Sequence, residues 1–275
     1  MIPGRSAGAS RGRRNATPPR APAKPSTVEC HESQVRVTRF NPRAEEVPDP
    51  GARILVYRLD LRELPTPGAD ALAMLSQEER ERARAISHPQ QFACYLKMHV
   101  ALGRILAAGL RSTLGKQVQL SDLRFDYGPH GKPRVVGASE AERWRFNLSH
   151  SGEIGLIAFA LDREVGIDVQ VMRPEIPELA IGRRFFSPPE VALLEQFDQL
   201  DQGAEARAWF YLLWTRKEAY AKARGMSVTR ALSETRMDGI LQDARDPDAA
   251  RRWALCDLPM PAPYAAACAF ERPPR

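Results

Sequence analysis

An α+β fold in two similar halves is what the sequence predicts, and three observations predict it. An order of strand, helix, helix and strands runs twice along the chain, without visible sequence repetition. Segment 144–172 reads as three short strands joined by "HSGE" and "LDRE". Such links are too short for the crossovers that parallel strands need, so an antiparallel meander is expected. With 43% hydrophobic and 27% charged residues over 275 positions, the chain can fill a core of one or two domains.

The elements follow in order. Residues 1–51 are rich in Pro, Gly and Arg, end in "VPDPG", and read as a disordered basic extension. Removing 1–45 is accordingly expected to leave fold and melting temperature nearly unchanged. The first 26 residues hold no apolar stretch of the kind a secretory signal carries. "ARILVYRLDL" is the first expected strand. In "SQEERERARAI", Ser76 and Glu79 form an S-x-x-E capping box, which starts a helix. "FACYLKMHVALGRILAAGL" is a longer helix, with Phe92, Leu96, Val100 and Leu106 as its apolar stripe. No apolar run is expected to reach membrane-spanning length. "LRFDYGPHGKPRVV" reads as a strand, a Gly/Pro turn and a second extended piece. After the meander, Ser187 suits an N-cap and Pro188 the first helical position of "FFSPPEVALLEQF". "EARAWFYLLWTRKEAYAKARG" is a strong helix ended by Gly225. Two short strands follow, at "RRWALCDL" and "YAAACAFE".

The formal charge of +6 raises the question of nucleic acid. Six of the 40 basic residues precede the first acid, Glu29, and the remaining 34 match the 34 acids. The folded part is therefore near neutral, which argues against nucleic acid as a partner. Cys30, Cys94, Cys256 and Cys268 are scattered, with no C-x-x-C and no His cluster for zinc. Buried free thiols in a reducing compartment are the expectation.

Four stretches carry chemistry. In "REVGIDVQVM", Asp168 sits in a strand among Val165, Ile167 and Val169, where acids are depleted. Gln170, two residues on, shares its face. In "WTRKEAYAKARG", Glu218 and Lys222 are four apart on one helix face, with Trp214 a turn earlier. In "FNLSHSGE", Ser149 and His150 stand at a strand end. A hydroxyl, an imidazole and loop amides there can receive phosphate oxygens. Adjacent strand residues point to opposite faces, so the two are no nucleophile pair. Lys132, in "GPHGKPRV", stands on a turn shaped by Pro133 and can anchor a phosphate as a point charge.

Together these stretches resemble the Sfp-type (surfactin-synthetase-activating) class of 4'-phosphopantetheinyl transferases. The resemblance rests on Gly131-Lys132-Pro133, Asn147-Leu148-Ser149-His150-Ser151, Gly166-Ile167-Asp168, "RRFFSPPE" at 183–190, and the run from Trp214 to Gly225, in the family's order and spacing. It implies two pseudo-symmetric halves, each a small antiparallel sheet with packed helices, and an active site in the cleft between them. The N-terminal half, 52–145, is expected to contact coenzyme A and the carrier. The C-terminal half, 146–275, is expected to hold the metal-binding and catalytic motifs.

The implied reaction is Mg²⁺-dependent. A serine of an apo acyl or peptidyl carrier protein attacks the β-phosphate of coenzyme A, and adenosine 3',5'-bisphosphate leaves. The resemblance assigns Asp168 and Glu218 to the metal, Glu218 to general-base work and Lys222 to the phosphates. Many relatives have a third carboxylate where Gln170 stands, so Gln170 is expected to reach the metal through water or not at all. Lys132, Ser149, His150 and Arg82 are expected at coenzyme A's phosphates. A second basic position usual on Arg82's helix is Glu79 here, and an Arg or His usual near the start of the next helix has no counterpart in "QQFACYL". The implied enzyme is a cytoplasmic monomer with no membrane or nucleic-acid partner. Three rivals stand beside it: a degenerate transferase that binds without turnover, a metal-dependent nuclease, and a nucleic-acid binder acting through the basic extension. The nuclease pattern D…[DE]-x-K sets acid and lysine two apart on a strand, unlike Glu218 and Lys222.

Overall fold

The computed structural model describes residues 35–41, 54–66, 68, 70–115, 118, 123–137 and 139–273. Its elements run β1 (Val35–Arg39), β2 (Ile54–Asp60), α1 (Asp70–Ala73), α2 (Gln77–Arg84), α3 (Pro89–Leu114), β3 (Arg124–Tyr127), β4 (Pro133–Val136), α4 (Ser139–Glu142), β5 (Trp144–Ser151), β6 (Ile154–Leu161) and β7 (Val165–Val171). They continue with α5 (Glu178–Phe185), α6 (Pro188–Gln199), α7 (Gly203–Arg224), α8 (Val228–Glu234), β8 (Thr235–Arg236), β9 (Gln242–Asp243), α9 (Ala249–Arg252), β10 (Trp253–Asp257) and β11 (Tyr264–Glu271).

Alternation along the strands decides the layering. In β2 and β6, Leu55, Tyr57, Leu59, Ile157 and Phe159 face α3 and form one core with its Met98, Leu102, Ile105 and Leu106. Phe92, Leu96 and Val100 of the expected stripe pack instead with Leu75 and Ala83, on the α2 side. Their neighbours Ile54, Val56, Leu156 and Ala158 face the other way, onto Val165, Ile167 and Val169 of β7 and onto Cys268 and Phe270 of β11. On the far side of β11, Ala267 and Ala269 pack against α7 through Leu213, Ala219 and Tyr220. The order of layers is thus α3, first sheet, second sheet, α7. Both sheets are covered on both faces, and each fully buried Val or Ile contributes about 1.5–3 kcal/mol.

The α+β reading holds: among the described residues two main sheets, mostly antiparallel, stand beside the two-stranded pairs β3-β4 and β8-β9. The first has the order β1-β2-β6-β5 and the second β10-β11-β7. The 145/146 boundary does not hold. β5 and β6 hydrogen-bond into the sheet of β2, so the first half runs through Leu161 and the second begins at β7. The expected three-stranded meander is likewise a pair: β7 leaves it and pairs with β11. The sequence of 144–172 shows the tight links but not which distant strand each edge meets.

Two further corrections concern the ends. Val35–Arg39, read as part of a disordered extension, is an edge strand, parallel to β2. Val35 is buried between the sheets. The Pro-rich flanks masked five residues whose apolar members alternate. Removing residues 1–45 takes this strand away and bares the edge of β2. It is therefore expected to lower the melting temperature by several degrees, by circular dichroism. The rest of 1–51 lies outside the described residues. Cys256 is disulfide-bonded, against the expectation of free thiols, whereas Cys94 and Cys268 are free. Spacing along the chain does not report which cysteines meet in space. Burial pushes the Cys268 thiol up to about 12.

α3 is long and apolar enough, by length and composition, to cross a membrane, contrary to expectation. Within the protein, 67% of that apolar window is buried.

Candidate active site

The close approach of β7 to α7 positions the site. A Cβ on Gly166 would stand 2.1 Å from the Ala219 carbonyl oxygen and 2.2 Å from the Ala223 nitrogen. Only glycine lets strand and helix backbones meet there. Asp168 lies two residues on, hence on the same face, opposite Ala267 of β11. Its odd neighbourhood in the sequence is thereby explained. Val165, Ile167 and Val169 fill the inter-sheet core, while Gly166, Asp168 and Gln170 look toward α7. α7 itself ends at Gly225, whose φ of 61° is the left-handed cap expected there.

Asp168 is 1% exposed and its carboxylate is fully engaged. Oδ1 accepts from Lys222 Nζ at 2.6 Å and from Ser149 Oγ at 2.8 Å. Oδ2 accepts from Gln170 Nε2 at 3.1 Å. Lys222 Nζ also lies 3.6 Å from Glu218 Oε2, so one ammonium bridges two carboxylates. Trp214 Nε1 donates to Glu218 Oε1 at 2.7 Å, which gives this side chain a polar task beyond packing.

The electrostatics follow from two acids and one base in a buried place. Burial, and then the charge of Asp168, push the Glu218 carboxyl above the usual range despite Lys222. For Lys222, burial alone would lower the value. The two carboxylates more than reverse it, so the ammonium stays charged.

Among the described residues no three His, Cys, Asp or Glu side chains gather as metal ligands. The donor set is the two carboxylates of Asp168 and Glu218, with Gln170 presenting its amide N–H to Asp168 Oδ2. Burial, and then the charge of Asp168, raise Glu218, and two carboxylates in such a place suit a hard divalent cation that keeps several waters.

"N-L-S-H-S" has a task the sequence reading missed. Asn147, Ser149 and Ser151 alternate along β5, and all three side chains bond to β7. Asn147 Oδ1 accepts from Ile167 N at 2.9 Å, Ser149 donates to Asp168, and Ser151 Oγ accepts from Val171 N at 3.0 Å. They form a side-chain seam between the halves. Ser149, expected at a phosphate, is 8% exposed and spends its proton on Asp168. His150 points to the opposite face and is exposed. The protein around it partly desolvates the ring and, with Lys222 and His99, lowers its pKa.

Lys132 has protein partners. Its ammonium donates to Glu164 and, at 2.7 Å, to the Ala223 carbonyl near the end of α7. A cation there complements the helix dipole. Burial pushes its pKa down. Lys132 clamps the turn onto the second half.

A cavity of about 290 Å³ opens between the halves, with Arg82, Tyr95, His99 and Tyr127 on one wall and Lys222 and Met226 on the other. Of the expected residues it collects Arg82, Lys132 and Lys222; His150 is outside it. The Arg82 guanidinium lies 3.6 Å from the centroid of the Tyr127 ring. Sequence reasoning missed Tyr95, His99 and Tyr127. For Tyr95 and His99 the available signal was a Tyr and a His four apart, hence on one face of the helix.

Comparison with known proteins gives a consistent picture. The model of the 4'-phosphopantetheinyl transferase superfamily matches residues 164–268, which is the second half. A putative 4'-phosphopantetheinyl transferase of Synechocystis sp. is 38% identical over 197 residues, covering 70% of this chain and 75% of that protein. The 4'-phosphopantetheinyl transferase HetI of Nostoc sp. is 31% identical over 206 residues, covering 74% and 81%. The 4'-phosphopantetheinyl transferase Sfp of Bacillus subtilis is 32% identical over 163 residues, covering 58% and 65%.

Proposed function

We propose how this chain, which belongs to the 4'-phosphopantetheinyl transferase superfamily and moves the phosphopantetheine group onto carrier proteins, performs the transfer. The donor is coenzyme A, bound in the cleft between the halves. The observation that carries the reading is the Asp168–Lys222–Glu218 cluster, with Lys222 also lining that cleft.

The hydroxyl oxygen of a carrier serine attacks the β-phosphorus of coenzyme A. A new O–P bond forms, and the bond from phosphorus to the bridging oxygen breaks, releasing adenosine 3',5'-bisphosphate. Glu218 Oε2 takes the serine proton, because Trp214 holds Oε1 and so aims the other oxygen. A carboxyl raised by burial and by Asp168 is a better base than a free glutamate. Lys222 swings one N–H from Asp168 toward the pyrophosphate and steadies the charge on the leaving oxygen. Asp168 keeps Lys222 charged and aimed. A divalent cation such as Mg²⁺, when bound, would be held by Asp168 and Glu218 with Gln170 beside them, and would withdraw charge from the pyrophosphate. In this reading the protein works as a cytoplasmic monomer.

Mass spectrometry of an apo carrier mixed with protein, coenzyme A and Mg²⁺ tests the reading. Covalent phosphopantetheine on the serine is expected, with its loss on chelation. Coenzyme A binding without transfer would favour the degenerate binder instead.

One consequence concerns stability. A carboxyl raised in the folded state stabilises the protein only while protonated. Its contribution is present below the unfolded value and lost as pH rises through the folded one. Glu218→Gln is therefore expected to raise the melting temperature by about 2 °C at pH 8 in metal-free buffer, and not near pH 4. The same variant should lose transfer. Equal melting temperatures at both pH values would remove the strain argued here for Glu218.

A further inference from the structure

We infer that Glu79 and His99 form a positioning pair that reads the purine base of coenzyme A, with His99 Nε2 as the contact; the inference rests on the cleft being the coenzyme A site. Glu79 departs from the basic residue usual at its place, yet it is 4% exposed and both of its oxygens are used. Oε2 accepts from Ser76 N at 2.9 Å, closing the α2 capping box. Oε1 meets His99 Nδ1 at 2.7 Å. A carboxylate only accepts, so Nδ1 carries a proton and donates it. In the neutral ring that tautomer leaves the lone pair on Nε2. Tyr95 fixes the ring plane, stacked at 3.9 Å between centroids and 21° between planes. His99 lines the cleft, and Nε2 is the ring nitrogen that remains for a ligand there.

Beside the cations Arg82, Lys132 and Lys222, which suit phosphates, the cleft has a side that suits a base. Tyr95, Tyr127, Met226 and Val228 give flat and apolar lining, the kind of surface that takes an aromatic ring with few polar contacts. The Tyr127 hydroxyl, buried in this wall, has no hydrogen-bond partner among the described residues. An acceptor nitrogen held in such a wall pairs with an exocyclic amine. Adenine presents one at C6. Hypoxanthine presents a carbonyl there, which would set two acceptors against each other. A site built to bond one group rejects the analogue that lacks it.

The test is steady-state transfer from coenzyme A and from its hypoxanthine analogue, with melting curves for every variant. In the wild-type protein the analogue is expected to show a KM about tenfold higher at similar kcat. His99→Ala should bring the two KM values within about twofold. Glu79→Gln keeps a capping box, since glutamine serves there too. Its carbonyl accepts from Ser76 N, and its amide N–H then faces Nδ1. The ring proton moves to Nε2, and the preference should shift toward the hypoxanthine analogue. A purely structural Glu79 would change melting temperature or both KM values alike and leave their ratio alone. Transfer with a KM ratio that His99→Ala does not move overturns the inference while the transferase reading stands. No transfer from coenzyme A by the wild-type protein overturns that reading itself, and the inference with it.

Discussion

Asp168→Ala is expected to slow transfer by on the order of 10³-fold with saturating coenzyme A, while the chain still folds. The carboxylate is the joint acceptor for Lys222, Ser149 and Gln170. Without it, Lys222 is left with Glu218, and both residues lose the geometry that the reaction uses. The Ser149 hydroxyl, 8% exposed, loses its acceptor, at a cost of about 1–3 kcal/mol. Asp168→Asn separates charge from shape. It keeps an oxygen for Ser149 and Lys222 but removes the negative charge, so it should melt near the wild-type temperature and still transfer poorly. Mass spectrometry of the carrier and thermal melts decide the matter. Turnover of either variant within about tenfold of wild type would remove Asp168 from the reaction.

The second large effect is on folding. Lys217→Met is expected to destabilise the protein by about 3–5 kcal/mol, a fall of roughly 10 °C in melting temperature. Lys217 and Glu190 are both 0% exposed and lie 2.9 Å apart. Nζ also donates to the Leu232 carbonyl at 3.0 Å and to the Thr235 carbonyl. Glu190 in turn accepts from Ser187 N and Oγ at the start of α6, and from Met237 N at 2.7 Å. The variant leaves a buried carboxylate short of its cation and two carbonyls short of a donor. Burial lowers the pKa of Lys217. Glu190→Leu alone should also destabilise, because Lys217 and the α6 cap lose their acceptor. The double variant should recover part of the loss, since no buried charge then stands alone. A Lys217→Met protein that melts within 2 °C of wild type at neutral pH would mean this tie contributes under about 1 kcal/mol.

What the sequence disclosed divides along a physical line. Ser76, Glu79, Ser187 and Gly225 announced helix ends because caps are local chemistry, decided within four residues. Asp168, Glu218 and Lys222 were legible because periods of two and near four place them on facing sides of a strand and a helix. The motif spacing then supplied the pairing between those elements. What stayed hidden is long-range. Lys132 meets the carbonyl of Ala223, 91 positions away. Glu79 could be read as a capping residue but not as the partner of His99, 20 positions on. The half boundary was misplaced because β5 and β6 resemble β7 in composition and differ only in which distant strand they pair with. The alternating seam of Asn147, Ser149 and Ser151 was visible as polar residues in a strand. A phosphate and a neighbouring strand ask for the same donors and acceptors, and the local sequence does not separate them.

The missing side chain at Gly166 sets how this site can change over evolutionary time. The span from Asp168 to Glu218 and Lys222 is a main-chain contact, so repacking on the outer faces of α7 leaves it untouched. Drift there is silent for chemistry. A single methyl at position 166 has no such freedom. It must push the whole helix, and with it the proton acceptor, the phosphate-steadying ammonium and one cleft wall, all by the same displacement. Gradual tuning is therefore closed at this position: its variants fall into those that leave the spacing intact and those that lose every step together.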